Sequence, residues 1–173
     1  MGVWRSICIL AVCWPTILVI VRGSRLEAAV ISEIYYNAPA GSEALEFIEI
    51  VAETTTPEDL SGWEFVDGIQ YVFSAGTILH AGGAIVVCKD VEAVRAHYGI
   101  NNALGNYTGS LAGSGERVTL VNQVGVVVQS VRYDDEGEWP VGPDGSGHTL
   151  SLAGLYLDPS EPESWVQSVQ RGG

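Results

Sequence analysis

Residues 59–63 read Asp-Leu-Ser-Gly-Trp and lie between two strand-like runs. An aspartate and a serine that can bond their own backbone, a glycine free to take positive φ, and an indole that then turns inward make a corner between strands. Turn signals of this kind recur: the loop composition of 37–41, Asp67-Gly68, 75–77, 81–83 and 122–125. Between them fit only short strands, over 30–36, 45–51, 63–66, 69–73, 78–79, 84–88, 117–121, 126–133 and 148–152. The run 84–88 is apolar throughout and reads as a central strand buried on both faces. One helix is predicted, over 91–98. Asp90 caps it, Glu92 suits its first turn, Gly99 suits its end, and Val91, Val94 and Tyr98 fall on one face. Residues 134–147 form a long acidic, glycine-rich loop, and the segment after residue 152 reads as coil clipped back by Trp165. Many short strands and a single short helix predict an all-β chain, an immunoglobulin-like β-sandwich.

The sandwich is expected over residues 29–171, behind a hydrophobic signal or anchor segment over 1–28. Arg5 precedes an almost wholly apolar run from 6 to 21, the length of a secretory h-region. Small residues at Gly23 and Ala28 offer cleavage points, and removal after Ala28 is the reading adopted. An uncleaved membrane anchor over 3–21 is the alternative, interrupted by Arg5 and Pro15. The Met1-Gly2…Ser6 myristoylation pattern is discounted because the apolar run behind it reads as export. A lipoprotein box at 10–13 is discounted because Val12 is bulky and the run continues past Cys13. The expected location is extracytoplasmic, secreted or at the cell surface.

The full chain carries a formal charge of −13. Loss of residues 1–28 leaves five of eight basic and twenty of twenty-one acidic residues, a charge near −15. Such a surface repels phosphate backbones, so nucleic acid is an unlikely partner. Cys88 is then the only cysteine, which excludes an internal disulfide and a cysteine metal cluster, and its strand context reads as a small buried hydrophobe.

No converging catalytic set is visible. Glu46 and Glu49, three apart on a strand, point to opposite faces and cannot share a substrate. His80, His97 and His148 have no metal-ligand spacing. Asp144, Ser146 and His148 have the composition of a triad, but they are adjacent on one loop with nothing to orient the imidazole. Gly113-Ser114-Gly115 is too short for a phosphate cradle and reads as a hairpin turn. Asp134, Asp135, Glu136, Glu138 and Asp144 place five carboxylates in eleven positions. Their spacing matches no EF-hand; they read as solvated loop acids, with a weak calcium site over Asp134, Asp135, Glu136 and Asp144 as the alternative. Trp139 in that loop reads as a plug for the end of the sandwich rather than a binding platform, and Trp63 and Trp165 as core or clasp residues. Asn106-Tyr107-Thr108 is a glycosylation acceptor in a cell that performs that chemistry, and is expected to stay unmodified in a bacterial one.

The ordered set of 31–34, 46–50, 59–63, 75–77, 81–83, 107–109, 114–116, 133–135, Trp139-Pro140, Asp144-Gly145 and Ser164-Trp165 resembles the lamin-tail domain in the form carried by bacterial exported proteins. The likeness spans 30–171. It implies an immunoglobulin-like sandwich with Asp59, Gly62, Trp63, Trp139 and Trp165 as structural positions, and with no catalytic residue or cofactor. Such modules stand beside exported hydrolases, nucleases and spore-coat-type kinases, or alone on surface proteins; in nuclear lamins the related domain binds proteins and DNA. After Glu49 the chain departs from the family pattern, and without a lamin rod filament assembly does not carry over. The family pattern continues past Gly173. The expected function is therefore a non-catalytic exported module that binds a protein or surface polymer. The alternative is the front of a longer exported enzyme.

Overall fold

The computed structural model describes residues 29–173; the leader, with its expected cleavage or anchoring, lies outside them. Thirteen strands and one α-helix follow in order: β1 (Ala29–Tyr35), β2 (Phe47–Ala52), β3 (Glu58–Asp59), β4 (Glu64–Asp67), β5 (Ile69–Val72), β6 (Ile78–Leu79), β7 (Ala84–Cys88), α1 (Val91–Tyr98), β8 (Ala103–Gly105), β9 (Thr108–Gly109), β10 (Glu116–Val121), β11 (Val127–Tyr133), β12 (His148–Leu152) and β13 (Trp165–Arg171). They build a six-stranded sheet, β13-β12-β1-β2-β7-β8, a five-stranded sheet, β11-β10-β4-β5-β9, and a two-stranded pair, β3-β6. This is the immunoglobulin-like sandwich expected from the turn spacing.

Apolar side chains alternate onto the inner faces, Ile48, Ile50, Val87 and Leu150 from one sheet meeting Phe65, Val118, Leu120 and Val131 from the other. Both isoleucines of β1, Ile31 and Ile34, reach this core although they stand three apart. A bulge makes that possible: Ile31 pairs with Ile50 and Glu33 with Glu49, so Ser32 is an extra residue. In a regular strand Glu33 would share the core face with Ile31; the bulge reverses the phase and sends it outward. The backbone N–H of Ile31 donates instead to Gln129 Oε1 at 2.7 Å, tying β1 to β11 of the opposite sheet.

The outer face of the six-stranded sheet carries a second, smaller core. Phe47, Val86 and Cys88 pack there against Val94 of α1, with Val91 and Tyr98 partly buried beside it. This explains why 84–88 is apolar on both faces, and burial pushes the Cys88 thiol up to about 12. Asp90 accepts from the N–H groups of Glu92 and Ala93, each at 3.0 Å, and Gly99 ends the helix at φ 68°. Asp90→Ala is expected to cost about 1 kcal/mol in chemical unfolding; an unchanged midpoint would mean that packing of Val94 alone fixes the helix.

The corner at 59–63 is built as its residues demand. Asp59 Oδ1 accepts from the Ser61 hydroxyl at 2.5 Å and the Ser61 N–H at 2.9 Å, which together hold its carboxyl below the usual range, and Ser61 Oγ accepts from Gly76 N at 2.8 Å. Gly62 takes φ 73°, and Leu60 and Trp63 are buried on either side.

The structure corrects the sequence reading at several elements, the two-residue strands β3 and β9 among them. Strand β2 starts at Phe47, because Glu43–Leu45 form a single 3-10 turn. Ala103–Gly105 pairs in parallel with β7 after the helix returns the chain. The segment after Leu152 is not all coil: Trp165–Arg171 adds to β12 as an edge strand. Its register shifts between His148 and Leu150, so its sequence shows no clean alternation and hides the strand. Trp165 is buried, and its indole N–H donates to the Pro159 carbonyl at 3.0 Å, fastening the 153–162 segment.

Candidate binding groove on the outer sheet face

The acidic loop does not assemble the carboxylates it contains. Asp134 Oδ1 accepts from the N–H groups of Asp135 and Glu136 at 2.9 and 3.1 Å, a local turn. Asp144 accepts from the Asn37 amide, and Glu136 and Glu138 are exposed. Among the described residues no group of three or more His, Cys, Asp or Glu side chains is placed to hold a metal ion. Trp139 is half-buried against Trp165, ring centroids 6.3 Å apart, and closes this part of the core.

Asp144, Ser146 and His148 engage three unrelated partners: the Asn37 amide, the Gly142 carbonyl, and, for His148 Nδ1, the Ser168 carbonyl oxygen 2.9 Å away. Glu46 is buried beside Lys89 Nζ at 3.4 Å; burial raises its carboxyl and the ammonium opposes that shift. Glu49 stands on the outer face of β2, where it meets a carboxylate that the sequence alone does not pair with it.

That partner is Glu33, directly opposite Glu49 across β1 and β2. Like charges opposite one another destabilise a sheet unless something offsets them. Here Glu49 Oε1 accepts from Ser32 Oγ at 2.6 Å, and Glu33 Oε1 accepts from Thr149 Oγ1 of β12. The bulge residue thus orients one carboxylate and a neighbouring strand the other. Burial first, then the Glu49 charge, push the Glu33 carboxyl up to about 7 against the opposing bond from Thr149.

Beside this pair, α1 covers only part of the sheet. A groove of about 280 Å³ remains between the carboxylates and the helix, walled by Phe47, Val86, Tyr98 and Ile100. The Gly172-Gly173 pair lines it as well: Gly172, φ 78°, passes so close to the Tyr98 hydroxyl that a Cβ there would collide, its N–H donates to the Gly147 carbonyl at 2.7 Å, and a Cβ on Gly173 would run into Glu33 Oε1. The groove therefore combines fixed carboxylates with apolar and aromatic walls, a set suited to binding. The sequence holds a signal for it: two core-type isoleucines three apart in a strand imply a bulge, and a bulge re-aims what lies between.

The family model for the lamin tail domain matches residues 25–135, well over half of the chain. The chain belongs to the lamin tail domain family. No curated protein matches it. In this lamin tail domain the matched span runs from β1 to the end of β11; β12 and β13, which complete the six-stranded sheet, follow it. Glu33 and Glu49 lie inside the matched span, whereas Thr149, which orients Glu33, lies beyond it.

Proposed function

We propose that this lamin tail domain is an exported, non-catalytic module that holds a protein or a surface polymer. Immunoglobulin-like domains of this family serve interaction or structure, and the observation that carries the reading here is the half-covered outer face. Rigid strands present two oriented carboxylates beside an apolar wall. The Thr149 and Ser32 hydroxyls donate to Glu33 and Glu49 and so orient both as acceptors. The signal-like leader supports export.

Two measurements on the full protein from its own cells test this. Its intact mass is expected to lack residues 1–28, and the purified chain is expected to leave peptidase, esterase, glycosidase and phosphatase substrates unchanged. Turnover that disappears in Glu33→Gln would reverse the non-catalytic reading, and retention inside the cell would reverse the export reading.

A further inference from the structure

We propose that the groove beside α1 binds the cationic end of an arginine or lysine side chain from an extended, basic segment of a partner protein. The proposal rests on the binding-module reading and names its ligand chemistry. Charge complementarity is the first argument. Glu33 and Glu49 face each other across two strands, and no ion pair reaches either among the described residues. Glu49 is bonded through Oε1 to Ser32, and its Oε2 makes no hydrogen bond among those residues. Of the chain's own cations, Lys89 is held by Glu46 and Ser110 and Arg95 by Glu92 and the Ala103 carbonyl, while Arg171, next to Gly172, lays its stem against Gly147 and forms no ion pair with either carboxylate among the described residues. An incoming cation is then the group that offsets two facing carboxylates.

Shape is the second argument. A cavity of about 280 Å³ is far larger than a bare ion needs, and two carboxylates supply too few ligands for a hard metal. The walls of Phe47, Val86 and Ile100 suit an aliphatic stem, and Tyr98 adds an aromatic edge to the same wall. The pair sits on paired strands rather than a loop, so the acceptors are fixed before the ligand arrives. The overall charge of −13 steers such a segment toward the chain but does not choose the groove; the fixed pair does.

The test is calorimetric titration of the full chain at low salt with a short arginine-containing peptide and with its citrulline counterpart, equal in shape and uncharged. Saturable binding of the arginine peptide alone is expected. Glu49→Gln should weaken it about tenfold, and Glu49→Lys, which brings its own cation, should abolish it. Glu138→Gln, which removes one charge from the exposed loop, should leave it within about twofold. Melting curves confirm that each variant is folded. Equal loss in the Glu138 variant, equal binding of citrulline, or no binding by the native chain at millimolar peptide would each overturn the proposal. Those outcomes leave the non-catalytic reading standing, because only substrate turnover bears on that.

Discussion

Replacing Trp165 by alanine is expected to destabilise the domain by about 3–5 kcal/mol, the range for loss of a buried indole, and so to lower the melting temperature by roughly 10 °C. The side chain is 2% exposed, packs on Trp139 and holds the Pro159 carbonyl through its only polar atom. Its loss removes packing from the core and frees the segment between β12 and β13. Trp165→Phe separates the two effects: it keeps most of the packing and leaves a buried carbonyl without its donor, which costs about 1–3 kcal/mol. Equilibrium unfolding of both variants measures this. A Trp165→Ala cost below about 1 kcal/mol would mean that β13 is not an integral strand of the sheet.

The second large effect is a pH dependence traceable to one residue. In the folded chain Glu33 titrates near 7, against 4.5 for the free side chain. A carboxyl raised by folding favours the native state when protonated. Its contribution is therefore complete below about 4.5 and is lost as the pH rises through 7. The difference corresponds to at most about 3 kcal/mol. The groups that face it are the Glu49 carboxylate from β2 and the Tyr98 phenol of α1, itself raised to about 12 chiefly by burial. Glu33→Gln keeps the size and a hydrogen-bonding end but cannot ionise. Chemical unfolding at pH 4 and pH 8 should give similar stabilities for the two chains at the lower value and a more stable variant at the higher. Parallel curves at both values would place the Glu33 carboxyl in water rather than in the groove.

Local chemistry made much of the fold legible. Asp59, Gly62 and Trp63 specify their corner by side-chain bonds and a positive φ, both written in residue type. Asp90 and Gly99 specify the ends of α1 in the same way. What escaped depends on partners distant in the chain. Strand β13 is irregular because it is bulged against β12, and β8 is three residues long and gains its pairing only when α1 returns the chain to β7. The groove escaped for the same reason. In sequence the nearest acidic neighbour of Glu49 on that run is Glu46, whereas the sheet sets Glu49 against Glu33, sixteen residues earlier. That pairing depends on a register offset by Ser32, and the broken alternation of Ile31, Glu33 and Ile34 was its one trace in the sequence. The acidic loop shows the converse: a dense local run of carboxylates, among them Asp134 and Asp144, which the fold spends on separate turns and tethers.

If the half-covered outer face of the six-stranded sheet is the working surface, amide chemical shifts of the isotope-labelled full chain respond there as the arginine peptide is added. Saturable changes confined to residues 32–34 of β1, 47–50 of β2, the last turn of α1 and residues 171–173 are expected. Changes centred on the acidic loop at 134–147, or spread without saturation over the whole surface, would contradict that role.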